Sequence, residues 1–326
     1  YKLMDEGYLV RLTHEPITLA DGKVLKRGSI LVSTHRDAEE DAATKLHSSL
    51  TSIAAETGIT VYGISTGYTA GVNIGSPSID VLKKPEVAVL VGTGVASGEA
   101  GEMWHLMDQR FDMPITLLPV ERLGNADLNR YNVLIMPNGN YSSWGKSEAE
   151  EIKSWASAGN TLIARGNAMT WLNSNELVSF TFKKDSTEKE KKPDLPYADY
   201  TENTGARMTS GTIFHAKLDI THPIGYGYGN SEIFTFRSSN QVLEPGKNPY
   251  SNPMVYTDKP LASGYIHPEN LELARNSSVI QIKRIGRGRV IGMVDNPNFR
   301  AIWYGTNKLF LNAIFFGQVI EGGTAD

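Results

Sequence analysis

The chain contains no cysteine. That excludes a disulfide framework, thiolate metal sites and thiol nucleophiles together, and it assigns no compartment. Long apolar runs are also missing. None approaches the roughly 18 residues that a membrane helix requires. Basic blocks are scarce: Lys183-Lys184 and Lys189 to Lys192 sit among acids, and the formal net charge is −4. Nothing here has the footprint of a nucleic-acid binder. Neither H-E-x-x-H nor H-x-x-E occurs, so the chain carries no zinc-hydrolase core of its own. Tyr1 stands where an initiator Met would, so the expectation is a processed or excised piece of a longer protein.

What is present suffices for two domains. The 326 residues are 40% hydrophobic, against about 100–200 residues for an ordinary domain. Residues 1–84 read as a small α/β module. Gly7 to Thr13 and Gly28 to Ser33 alternate like strands, with a turn at Ala20 to Lys23. Asp37 to Thr57 has helical spacing through Leu46, Leu50 and Ile53, and Gly58 ends it. Ile59 to Gly63 reads as a short strand, and Gly67 to Ser78 as a loop or linker. Residues 85–326 form a second domain after Lys83-Lys84-Pro85.

In that second domain, strand-like runs alternate with helices. Glu86 to Val91 leads through Gly92-Thr-Gly-Val-Ala-Ser-Gly98 into a helix from Glu99 to Arg110. Strands follow at Ile115 to Leu118, Asn132 to Met136 and Thr161 to Ala164. Between the last two, Ser147 and Glu150 read as the capping box of a helix. This spacing predicts an α/β fold with a mostly parallel sheet covered by helices on both faces. Residues 183–204 are charged, hold two prolines and lack periodicity, and read as a mobile insertion. Beyond it, strands are expected at Gly211 to Leu218, Ile233 to Phe236, Met254 to Tyr256, Val279 to Lys283 and Val290 to Val294. A helix from Thr306 closes the chain.

The candidate chemistry lies just past the strand ends. Asn138, Asn167, Asp295, Asn298 and Arg300 would converge there as ligand-binding candidates. The same residues could instead cap helices and tie down turns. Glu99, Glu102 and His105 share one helix face, where they could serve as acid, base or metal ligands. Equally, acids in a first turn complement the helix dipole. The glycine turn at Gly92 is one residue too long for G-x-G-x-x-G. Glu121, the nearest acid, lies past Pro119 and is poorly placed for a ribose. A tight turn is the plainer reading. The turn Arg165-Gly-Asn-Ala-Met169 stands where a nucleophile elbow would, but Asn167 and Ala168 are not nucleophiles.

These segments together resemble the C-terminal region of large exported bacterial zinc carboxypeptidases of the carboxypeptidase A type. The matching motifs are Gly75-Ser-Pro-Ser78, Leu82-Lys-Lys-Pro85, Gly101 to Arg110, Thr221 to Gly227, Asp295 to Arg300 and Trp303 to Asn307. The resemblance implies a flavodoxin-like, class I glutamine-amidotransferase-like domain from about residue 85. It implies a secreted, periplasmic or envelope-associated parent whose zinc belongs to a peptidase domain absent from this chain, with no cofactor here. The chain's own peptidase domain would be its partner, alongside a peptide or small-molecule ligand. Amidotransferase activity needs a Cys-His-Glu triad and is not carried over. The expected role is a non-catalytic accessory module. The alternatives are an independent hydrolase using Glu99 or His105, or a small-molecule binding module.

Overall fold

The computed structural model describes residues 1–34, 41–183 and 195–326. They divide into two compact units, Tyr1–Pro85 and Glu86–Asp326. The expected helical residues Asp37 to Glu40 lie outside the described residues, as do residues 184–194 of the expected insertion.

In the first unit a short helix, α1 (Lys2–Asp5), precedes four strands: β1 (Val10–Thr13), β2 (Ile17–Thr18), β3 (Val24–Leu25) and β4 (Ile30–Val32). Then come α2 (Ala42–Thr57), β5 (Ala70–Gly71) and β6 (Ile79–Val81). Two antiparallel sheets form, in the orders β4-β1-β6 and β3-β2-β5. Gly58 stops α2 at φ 70°, a left-handed conformation cheap only for glycine. The expected strand at Ile59 to Gly63 does not form; those residues run exposed beside the helix end with no ladder partner. Conversely, β5 arises inside the stretch read as a linker, because Ile17 and Thr18 supply it with a partner strand. Ile17, Leu31 and Ile79 make the small core.

The second unit is built on one nine-stranded sheet. Its strands are β7 (Val87–Val91), β8 (Thr116–Pro119), β9 (Val133–Met136), β10 (Thr161–Arg165), β11 (Thr212–Leu218), β12 (Glu232–Arg237), β13 (Met254–Gly264), β14 (Ser278–Ile285) and β15 (Gly288–Met293). The order is β12-β11-β13-β14-β15-β10-β9-β7-β8. From β15 to β8 every pairing is parallel. Counted in chain order, these strands stand 2-1-3-4-5, the flavodoxin-like arrangement. The other four join antiparallel, with β14 meeting β15 across a two-residue turn whose Gly286 sits at φ 56°.

Helices α3 (Ser97–Trp104), α4 (Lys146–Ser157), α5 (Asn167–Ser174), α6 (Tyr200–Ala206), α7 (Pro268–Ala274) and α8 (Asn307–Phe316) complete the unit. Alternate strand residues go to opposite faces. Leu90, Leu134, Leu162 and Val290 pack with Ile152 and Trp155 of α4 and Leu172 of α5 in one core cluster. On the other face, the segment following α8 lies on Ile291, so close that a side chain at Gly317 would strike Thr161. No helix of the described residues is long and apolar enough to cross a membrane.

Three local expectations shift. The helix α4 starts at Lys146, and its first turn is tied by Glu148, whose Oε2 accepts the Gly145 N–H at 2.9 Å. Ser147 and Glu150 lie too late in the chain to reach the free donor. Residues 200–206 of the expected insertion form α6, tethered where Asn203 Nδ2 reaches back to the Asp199 carbonyl at 3.0 Å. Finally, the helix expected through Arg110 changes winding at Trp104: His105–Arg110 is a π-helix. Such inserts cluster at functional sites.

Candidate functional site

The parallel strand ends carry the expected residues, but they spend them on each other. Glu99, in the first turn of α3, accepts the Asn138 N–H at 2.9 Å. The same carboxylate takes a forked contact from Arg165 at the end of β10, with Nε at 2.7 Å and Nη2 on the second oxygen. Arg165 also donates to the Val294 carbonyl at 2.8 Å. One guanidinium thus ties α3 and the ends of β10 and β15. The pair is nearly buried, Arg165 at 8% and Glu99 at 11% side-chain exposure.

Asn138 accepts the Asn167 N–H through Oδ1 at 2.9 Å, and Asn167 Oδ1 accepts from Gln241 Nε2 at 3.0 Å. The Gln241 carbonyl in turn accepts from Arg237 Nη2 at 2.7 Å. Arg237 and Asp295 are both buried. Asp295 takes the Tyr256 hydroxyl at 2.5 Å and Thr235 Oγ1 at 3.0 Å, with Arg237 Nη1 at 3.4 Å. Burial pushes the Asp295 carboxyl up against the pull of Arg237. Asp295 is therefore a structural anchor between β15 and the antiparallel strands, inaccessible to a ligand. Asn138 and Asn167 are ties of the same network.

The elbow is emptier than its sequence suggests. The residue in the strained strand-to-helix conformation is Gly166, at φ 57° and ψ −129°. Asn167 and Ala168, the residues read as standing there, already belong to α5. A Cβ at Gly166 would land on the Asn138 Oδ1, amide carbon and Cβ together. No side chain fits, and so no nucleophile does.

The glycine turn after β7 is closed as well. Gly94, at φ 87°, leaves no room for a Cβ against the Asn140 carbonyl. Asn140 N–H donates to the Gly94 carbonyl and Ala96 N–H to the Asn138 carbonyl, each at 2.8 Å. The loops after β7 and β9 are zipped together at the strand reversal, the place where such folds ordinarily open. Glu121 is closer than its position past Pro119 suggested: Oε1 accepts the Thr93 N–H at 3.1 Å. Hydrogen bonding to Thr93 pulls its carboxyl down. An anion there repels phosphate, so the turn is not a nucleotide cradle.

An open cavity of about 360 Å³ lies elsewhere, between α3 with its π-helical turn and the loop after β15. Glu102, His105 and Arg110 line one wall; Asn298, Tyr304 and Asn307 line the other. Glu102 is held by two neutral donors, Asn296 Nδ2 at 2.5 Å and the Arg300 N–H at 2.7 Å. Burial pushes its carboxyl up, opposed by those two bonds. Arg110 donates to Asn307 Oδ1 at 3.1 Å and stacks 4.1 Å from the Tyr304 ring centre. Asn298 is fully buried; its Oδ1 accepts from Asn307 Nδ2 at 2.8 Å, while its own Nδ2 meets no partner.

The cavity wall is strained. Arg300 and Ala301 sit at φ 48° and 54°, a conformation costing about 1–2 kcal/mol for each side-chain-bearing residue. Glu102 on the Arg300 N–H, and the Asn298 carbonyl accepting the Ala301 N–H at 2.9 Å, hold it in place. Of the candidates, Glu102, His105 and Asn298 meet at this cavity, and Arg300 shapes its rim through its backbone. Glu99 and Glu102 diverge to separate partners, so Glu99, Glu102 and His105 are not a metal triad. Among the described residues no three His, Asp or Glu side chains converge on a metal position. Sequence reading missed Arg110, Arg165, Arg237 and Tyr304. Only Arg165 was signalled, by its position at a strand end before glycine.

No protein-family model matches the chain, and no curated protein matches it. Distant likenesses exist among solved structures. PurLQS from Thermotoga maritima aligns with 71% of this chain and 98% of its own, at 13% identity and TM-score 0.45. A ThuA-like protein from Bacteroides uniformis aligns with 73% of this chain and 94% of its own, at 12% identity and TM-score 0.45. A second ThuA-like protein, from Parabacteroides merdae, aligns with 72% of this chain and 90% of its own, at 12% identity and TM-score 0.46. At such distances the fold assignment stands on the strand order itself.

Proposed function

We propose that this chain is a non-catalytic module that binds and supports, without chemistry of its own at the strand ends. One observation carries the reading: the elbow position is Gly166, and Asn138 fills the space where a nucleophile would stand. The surrounding strand ends offer Asn138, Asn167, Asn296 and Asn298, and an amide is neither nucleophile nor general base at neutral pH. Glu99, which accepts the Asn138 N–H beside the elbow, is ion-paired with Arg165. The resemblance of Asp295 to Arg300 and Trp303 to Asn307 to the C-terminal region of exported zinc carboxypeptidases supports the wider proposal. In that proposal the chain is the accessory part of such an enzyme, outside the cytoplasm, with the zinc in a separate peptidase domain.

The test is direct. The purified chain is incubated with glutamine, with free peptides and with peptide esters across pH 5–9, and products are followed by mass spectrometry. No turnover above the buffer blank is expected. Turnover that co-purifies with the chain through two unrelated columns would overturn the reading.

A further inference from the structure

Among the described residues, two unlike charges line the cavity without ion pairs of their own. Glu102 is held by an amide and a backbone N–H, and Arg110 by an amide oxygen and the rings of Tyr304 and Phe111. Beside them, the buried Asn298 amide nitrogen has no acceptor. A buried donor left unpaired costs about 1–3 kcal/mol, so a ligand oxygen at that atom would recover a penalty the free protein carries. Glu102 and Arg110 both line the cavity, eight positions apart along α3 and its π-helical turn. The cavity volume of about 360 Å³ admits a zwitterion of dipeptide size between them.

We propose that this cavity binds a short zwitterionic peptide of dipeptide size, its ammonium on Glu102 and its carboxylate on Arg110 and the Asn298 amide. The inference rests on the reading of the chain as a non-catalytic binding module and names what that module takes. Tyr304 is a positioning residue: its ring holds the guanidinium face-on and leaves the edge for the carboxylate. His105, on the same wall between the two charges, faces the peptide's middle. Larger peptides would be excluded at whichever end is extended, because both termini are read.

Isothermal titration calorimetry of the full chain with Ala-Ala tests this. Binding is expected for the free dipeptide. N-acetylation or C-amidation should each weaken it about tenfold, the loss of one charge-assisted hydrogen bond. In Arg110→Gln, amidation should cause no further loss; in Glu102→Gln, acetylation should cause none. Absence of binding up to about 10 mM, or capped peptides binding as tightly as the free one, would overturn the assignment. The capping series on the unmodified chain needs no variant to fold. Mass spectrometry of the recovered ligand separates the two readings. A cleaved dipeptide overturns the non-catalytic reading and leaves the pocket; an intact, unbound one overturns the pocket alone.

Discussion

Replacing Gly166 with alanine puts the elbow argument at risk in one measurement. The backbone there is at φ 57° and ψ −129°, and a side chain in a left-handed conformation costs about 1–2 kcal/mol. The new Cβ also collides with the Asn138 side chain. Asn138 must turn aside, and the Asn167 N–H loses its acceptor, for about 1 kcal/mol more. Gly166→Ala should therefore destabilise the fold by about 3 kcal/mol in urea unfolding, read as a lower midpoint at unchanged slope. Asn138→Ala alone should cost about 1 kcal/mol, the tie it loses. Combined, the two should cost less than their sum by about 1 kcal/mol, because the Asn167 N–H can lose its Asn138 acceptor only once. A Gly166→Ala variant within about 0.5 kcal/mol of the unmodified chain, or a strictly additive pair, would refute the claim that Asn138 occupies the nucleophile's space.

The Arg165–Glu99 pair gives a second expectation: Arg165→Met strands a nearly buried carboxylate and should cost about 3–5 kcal/mol, measurable by the same unfolding curves. His222 gives a pH dependence. Its Nδ1 accepts the Ile224 N–H at 3.1 Å, and burial pushes the imidazole down to about 4 from its ordinary 6.5. The unfolded chain then binds the extra proton between those values, so stability is full above about pH 6.5 and falls as pH drops toward 4, by about 3 kcal/mol. A His222→Asn variant should lack that part of the acid loss; parallel pH profiles for the two proteins would count against it. Gly94→Ala should cost about 2–4 kcal/mol by driving the loops after β7 and β9 apart, with faster hydrogen exchange at the Asn140 amide as the local readout.

The inner strands of the parallel half of the sheet were legible because they are buried on both faces and so appear as unbroken apolar runs closed by glycine or proline, as within Glu86 to Val91 and Asn132 to Met136. Helix α5 was not legible. It begins at the elbow with Asn-Ala-Met-Thr, and its buried side, Ala168, Met169, Trp171 and Leu172, is too short to show a helical period. The strand β13 was read for three residues, since beyond Thr257 the sequence turns to Asp258-Lys-Pro260 and the pairing with β11 continues through register shifts. The ties that decide the site are long-range. Arg237 reads as a charged strand end until Asp295 is brought against it. Nothing local to either residue announces the other. Asn298 was picked out by loop chemistry alone; that its nitrogen lacks a partner follows from the packing around it.

The mutual exclusion between a side chain at Gly166 and the amide of Asn138 has an evolutionary consequence. A nucleophile cannot enter the elbow in one step, because the first substitution meets the asparagine and loses stability before any activity can be selected. The asparagine cannot leave first without releasing the Asn167 amide it holds. Each residue guards the other's replacement. A lineage that reached this arrangement is separated from elbow chemistry by a stability valley that only a paired change crosses, while the cavity beside α3, sharing neither residue, stays free to vary its ligand.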